Sequence, residues 1–313
     1  MTSDKKRVVL YTTTTLFITF FWGDTMTTMT ASKKAEYKAN AKAKIADLKE
    51  KIKNTTPEEM ALFAKSWVSG YINGLHRYSF YNYMIASFQL ARQGKVITAI
   101  APFKKWSEKE RKVNKGEKAL SVFAPIIVDE KDENGDKTGD RKLVGYRLVP
   151  VFDMSQTSGD LSKLDIKKGG LVGDWTAGKS NINFETLVKT FNIPTVVDVI
   201  SNDGSNGWTD GKQIHVMDKD NEQKIATYIH ELAHFMLHFN EDRKDFTKAV
   251  KEVEAETVSY IVCDALGFEN KTSALYVKNH AGDIPEDFRT TKIISTCEKI
   301  MSQIIDNSDT VMV

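Results

Sequence analysis

Residues 224–238 read KIATYIHELAHFMLH, and this run decides how the C-terminal part of the chain is understood. Its apolar positions Ile225, Ile229, Leu232, Ala233, Met236 and Leu237 recur at three- and four-residue spacing, which predicts an amphipathic helix over 221–239. Within it lies His230-Glu231-x-x-His234. Histidines four apart share one helix face, so both imidazoles can reach a single ion. Glu231, next to the first of them, is placed to take a proton from water activated there. The segment therefore reads as a zinc-hydrolase site with His230 and His234 as ligands and Glu231 as general base. The competing reading, two histidines packed on a helix, leaves the adjacent carboxylate without a purpose.

A catalytic zinc keeps three protein ligands and one open position. The next predicted helix, 247–266, contains EVEAETVSYIVCDAL and offers Glu252, Glu254 and Glu256. Glu254 shares a face with Val258, Ile261 and Ala265, the side that must pack inward. A carboxylate on a buried face needs a cation, so Glu254 is the expected third ligand. Glu252 and Glu256 are expected to be solvated or to support the site from outside. His238 lies one turn beyond His234, roughly 6 Å along the axis at 1.5 Å per residue, and is expected to pack or to support rather than to ligate. His76, His215 and His280 have no partners in sequence.

Outward from this pair of helices, the periodicity predicts further helices at 32–53, 57–70, 78–93, 184–192 and 289–305. Strands are expected at 119–128, 142–153, 195–200 and 212–217. The last of these is the expected edge on which a peptide would lie. Asn134-Gly135 marks a turn between the first two strands. A Gly/Ser/Lys-rich passage at 158–180 reads as a connector.

A 41% apolar and 27% charged composition belongs to a globular chain and excludes a disordered one. Two cysteines, Cys263 and Cys297, in 313 residues exclude a disulfide scaffold and fit a reducing cytoplasm. At the start, Lys5, Lys6 and Arg7 precede Val8–Trp22, an apolar run interrupted by five threonines. That is short of the roughly 20 residues that span a bilayer, and no small-x-small cleavage site follows. Residues 1–30 are thus expected to be an extension outside the fold, with no stable membrane association. An export signal or weak anchor is the rival.

The net charge of +2 conceals an asymmetry. Residues 1–120 carry 22 Lys and Arg against 10 Asp and Glu, whereas residues 201–313 carry 12 against 20. Such a division is expected when one half meets a polyanion. The basic residues concentrate at 92–118, where Lys104, Lys105, Arg111, Lys112, Lys115 and Lys118 surround Trp106. Cations that track phosphates, with rings on which bases stack, suit single-stranded nucleic acid. A solvated basic surface around a buried Trp fits the composition equally well. A two-metal nuclease does not fit, because it needs carboxylates clustered around paired ions.

Several stretches resemble the antirestriction protein ArdC family. RYSFYNYMIA and FKKWSEKERKVNKGEKALSVFAP are similar to its N-terminal single-stranded-DNA-binding domain, and VFDMSQTSG to the exit from that domain. IATYIHELAHFMLH with EVEAETVSYIVCDALG resembles its C-terminal metallopeptidase-like domain, itself related to ImmA/IrrE-type peptidases. The resemblance implies an α+β protein of two domains. An ssDNA-binding module would span 31–157 and a zincin-like domain 181–313, separated by the 158–180 linker. Non-specific ssDNA is the implied partner, a protein or peptide the possible substrate and zinc the cofactor. The role implied is protection of incoming mobile-element DNA from restriction. The implied DNA contacts add Arg77, Tyr78 and Asn82 to the lysines, Arg111 and Trp106, and the implied ligand set is His230, His234 and Glu254. A peptidase that cleaves a phage or conjugative-element repressor is the alternative, as is a DNA-binding protein with a non-catalytic zinc.

Overall fold

Thr56 and Glu59 form a reciprocal cap, each side chain accepting from the other's backbone N–H (3.0 and 3.3 Å), and Pro57 occupies the first turn. They start α1 (Pro57–Ile72) in a computed structural model of the chain. The structure describes residues 51–72, 78–131, 136–161, 164, 183–199, 204–239, 246–268, 270, 273 and 288–307, with scattered positions in 39–50. The expected extension at 1–30, most of the 32–53 helix, the Asn134-Gly135 turn and most of the 158–180 connector lie outside these residues, as do His76, Arg77 and His280.

Chain contacts group residues into two units. One comprises Met1–Glu50 and Ser121–Pro150; its described part is most of the hairpin of β3 (Leu120–Lys131) and β4 (Lys137–Asp153). The other comprises Lys51–Leu120 with Val151–Val313 and holds every residue discussed below.

In this larger unit α1 is followed by α2 (Phe80–Ala91), β1 (Ile100–Ala101), α3 (Phe103–Glu108) and β2 (Lys112–Val113). β1 pairs antiparallel with the end of β4, and β2 with β5 (Thr157–Ser158). The junction is pinned by Asp153, which is fully buried. Its carboxylate accepts from Thr98 N and Oγ1, Ala99 N and Ser155 N at 2.8–3.0 Å. The VFDMSQTSG stretch is thereby accounted for as the staple of a buried crossing, with every carboxylate lone pair in use.

The remaining elements are α4 (Phe184–Phe191), β6 (Thr195–Asp198), β7 (Gly207–Thr209), β8 (Ile214–Met217), α5 (Asn221–His238), α6 (Lys248–Leu266) and α7 (Thr290–Asp306). Helices and strands mix without a repeating β-α-β order, an α+β architecture as the sequence predicts. The expected elements that fall on described residues recur within a few residues of their ranges; the short β1, β2, β5, β7 and α3 are additional to them. Three-residue β7 is too brief to show alternation. Its presence also moves the edge: the order is β6-β8-β7, so the strand near 212–217 is the central one and β7 the edge.

α6 is buried nearly all round, from Val250 to Leu266, because α1, α5 and α7 all pack on it. Lys65 on α1 pairs with Asp264 on α6 at 2.8 Å. Gly267 ends α6 in the left-handed conformation (φ 79°), and Phe268 N returns to Cys263 O. Cys263 and Cys297 are both free and buried, and burial pushes both thiols up, Cys263 to about 12. Among the described residues no helix is long and apolar enough to cross a membrane.

Candidate metal centre and basic surface

Asp220 caps α5 by accepting from Gln223 N at 2.9 Å, and Ile225, Ile229 and Leu232 bury one face. That packing fixes the rotation of the helix. It places His230, Glu231 and His234 along a cleft of ≈ 970 Å³ that Gly207, Trp208 and Thr209 of the edge strand also line. His230 Nε2 and His234 Nε2 converge to 3.0 Å, and Glu252 Oε2 of α6 stands 3.6 Å from each. A point equidistant from these three atoms lies about 2.0 Å from every one, which is the bond length of Zn²⁺ to imidazole and carboxylate. These three residues form the group suited to hold a metal ion among the described residues.

The carboxylate that meets the two imidazoles is Glu252, and Glu254, the residue expected from the sequence, lies elsewhere. Glu254 points into the core, fully buried, where Arg289 Nε donates to it at 2.9 Å and Arg289 N at 3.0 Å. Burial works against its charge, yet Arg289 and His238 hold its pKa down to about 2. The requirement for a cation was sound, but the cation is a guanidinium. Glu256 joins the site from the next turn of α6, its Oε2 3.6 Å from His230 Nδ1, and Ser273 Oγ donates to it.

Glu231 is 6% exposed. Burial, followed by the nearby Glu252 and Glu256, pushes its carboxyl up to about 7, while His230 pulls the other way. Burial disfavours a charge on His230 as well, but Glu252 and Glu256 outweigh it and raise that imidazole to about 10. Three carboxylates around two imidazoles in a half-closed cleft thus make a site that demands positive charge.

Gly207 is required here. A Cβ at this position would meet Thr227 Cγ2 at 2.6 Å and His215 O at 2.7 Å, with Glu231 Cγ at 3.2 Å. Only glycine lets the edge strand's backbone lie this close to Glu231. On the other face of the sheet His215 binds Asp198 Oδ2 through Nδ1 (2.7 Å) and stacks on Trp208 (3.8 Å between centroids), a partnership invisible in sequence.

The basic stretch divides into two groups. Lys104, Lys105, Lys112, Lys115 and Lys118 are exposed. Trp106 is fully buried, its Nε1 donating to Phe152 O at 2.9 Å, and so has no face to offer a base. Arg111 is 5% exposed and donates to Thr157 Oγ1, Thr157 O and Gly159 O, which makes it a clamp on β5. Asn82 is buried in α2. Tyr78 is partly buried, its hydroxyl pushed up to about 12 by burial, and its carbonyl accepts from Trp67 Nε1. The aromatic the sequence reading overlooked is Phe103, 58% exposed and adjoining Lys104 and Lys105.

Residues 27–152 match the N-terminal domain of anti-restriction factor ArdC. Over these residues the chain carries an ArdC N-terminal domain. A Bacillus anthracis protein, pXO2-81, is 25% identical over 237 residues, which are 63% of this chain and 40% of that protein. The chain thus spans about two fifths of the length of that relative. Two crystal structures of ArdC from plasmid R388 also match. The metal-free one has TM-score 0.44 and 20% identity, covering 76% of this chain and 88% of that one. The Mn(II)-bound one has TM-score 0.44 and 18% identity, covering 75% and 86%.

Proposed function

We propose that this chain, with its ArdC N-terminal domain, binds single-stranded DNA through its basic surface and hydrolyses a peptide bond at a zinc centre made by His230, His234 and Glu252, protecting incoming mobile-element DNA in the cytoplasm. The observation that supports the centre is the convergence of one atom from each of the three residues on a point about 2.0 Å away. Two imidazoles and a carboxylate suit zinc better than the all-oxygen sites of magnesium or calcium. When bound, the ion supplies Lewis acidity toward a carbonyl and a water of lowered pKa. Glu231 takes the proton of the attacking water and returns it to the leaving amine. The free edge of β7 offers main-chain donors and acceptors along which an extended peptide adds as another strand.

For DNA, Lys104, Lys105, Lys112, Lys115 and Lys118 supply charge to phosphates and Phe103 a ring on which a base stacks.

Metal analysis of the purified chain tests the centre. We expect a single zinc per wild-type chain, lost on His234→Ala and on Glu252→Ala. Metal-free wild-type protein after incubation with zinc would overturn the reading. Retention of zinc by Glu252→Ala would remove Glu252 from the ligand set.

A further inference from the structure

Behind the metal centre, a line of side chains runs from His234 into the core. His234 Nδ1 lies 3.0 Å from His238 Nδ1, and His238 Nε2 lies 3.1 Å from Glu254 Oε2. The side chains of His238 and Glu254 are 3% and 0% exposed, so their polar atoms depend on protein partners. Glu254 in turn accepts from Arg289 Nε and Arg289 N, and Arg289 packs over the Phe246 ring at 4.4 Å. None of these contacts is needed to hold a helix together. Each nevertheless uses a polar atom that burial would otherwise leave costly.

We propose that His238 and Glu254 are positioning residues that set the tautomer of His234 and turn its Nε2 lone pair toward the metal. The proposal rests on the reading of His230, His234 and Glu252 as a metal centre. Glu254, bound by a guanidinium and a backbone N–H, is a carboxylate and only accepts. The proton between it and His238 therefore sits on His238 Nε2. Arg289 already balances Glu254, so a second positive charge on buried His238 would be uncompensated, and the ring is neutral. Its Nδ1 is then a bare acceptor. The short contact between the two Nδ1 atoms requires one proton, and His234 must supply it. With its hydrogen on Nδ1, His234 carries a lone pair on Nε2, the atom that faces His230 Nε2 and Glu252. Metal-ligating histidines commonly donate their second nitrogen to a carboxylate or carbonyl. Here another imidazole stands between ligand and carboxylate, and the tautomer is relayed through it.

The line also explains why Glu254 is buried without being a ligand. It acts two residues removed from the ion, through His238 and His234. Removing the acceptor at His238 frees His234 to hold its proton on either nitrogen and to rotate, which costs metal affinity without touching a ligand.

The first test uses the metal-free full-length chain labelled with ¹⁵N-histidine. The proposal expects His234 to show a protonated Nδ1 and an unprotonated Nε2, and His238 the reverse. His234 protonated on Nε2 alone would overturn it, whether or not the wild type binds metal. The second test is competition for zinc against a chromophoric chelator. His238→Leu, which has no acceptor, is expected to bind zinc about 10- to 100-fold more weakly. His238→Asn, whose Oδ1 sits near the place of Nδ1, is expected to recover most of that loss. Equal zinc affinity in wild type and His238→Leu, or no recovery in His238→Asn when both variants are folded by circular dichroism, would refute the relay. A wild type that binds no zinc refutes the metal centre instead, and the labelled spectra still decide the tautomer.

Discussion

Glu231→Gln should lower peptide hydrolysis by about 10²- to 10⁴-fold, the usual contribution of a general base, while leaving zinc content unchanged. The substitution keeps the size and hydrogen-bonding reach of the side chain and removes only its ability to take a proton. Glu231 is not among the three atoms that converge on the metal point, so the ion should stay. It lies beside Gly207 on the cleft wall, where a strand added to β7 would bring its carbonyl carbons past the carboxylate. The measurement is cleavage of unfolded casein and of a peptide library by zinc-loaded wild type and variant. Undiminished cleavage by the variant would show that Glu231 is not the base. The same variant separates two ways of protecting DNA. If protection from restriction persists in cells while hydrolysis is lost, occupancy of DNA is what protects; if both vanish, proteolysis does.

How much of the centre could be read from the chain follows from which contacts are local. His230, Glu231 and His234 belong to one helix, and a four-residue spacing alone puts the two rings on one side. The partner carboxylate comes from another helix, and its choice among Glu252, Glu254 and Glu256 depends on how α6 is rotated against α5. In sequence, Val258, Ile261 and Ala265 define one apolar face of this helix. In fact α6 is covered on three sides, so burial does not single out the face toward the metal. Glu252 and Glu256, one turn apart, share the face toward His230, and Glu254 turns to the core. Arg289, which answers its charge, lies 35 positions later in sequence. No local pattern discloses a pairing of that range. The edge strand escaped notice for another reason: Gly207-Trp208-Thr209 is too short for a period-two signal, and its assignment rests on pairing with β8.

Trp106 and Phe103 make the corresponding contrast on the basic side, and their alanine variants should behave in opposite ways. Composition leaves Trp106 equally open as a stacking ring or a buried anchor. In the fold Trp106 packs against Ala99, Ala101 and Leu164, with Val113, Phe152 and Met154 around them, and its indole N–H is satisfied by Phe152 O. α3 is six residues long and Trp106 is its buried anchor. Trp106→Ala should therefore cost about 3–5 kcal/mol of stability, the range for removing a large buried aromatic, seen as a lower midpoint of urea unfolding. Phe103, at the start of the same helix, is mostly exposed and touches Phe152 only edge-on, with ring centroids 6.5 Å apart. Phe103→Ala should change stability by no more than about 0.5 kcal/mol, as surface substitutions do. If a base stacks there, it should weaken single-stranded oligonucleotide binding by about 1–3 kcal/mol, or roughly five- to 150-fold. Fluorescence anisotropy with a labelled poly(dT) oligonucleotide measures the affinity. Unchanged affinity in Phe103→Ala would leave the lysines as a purely electrostatic surface. In that case binding would depend on salt through phosphate charge alone, and no ring on α3 would meet a base.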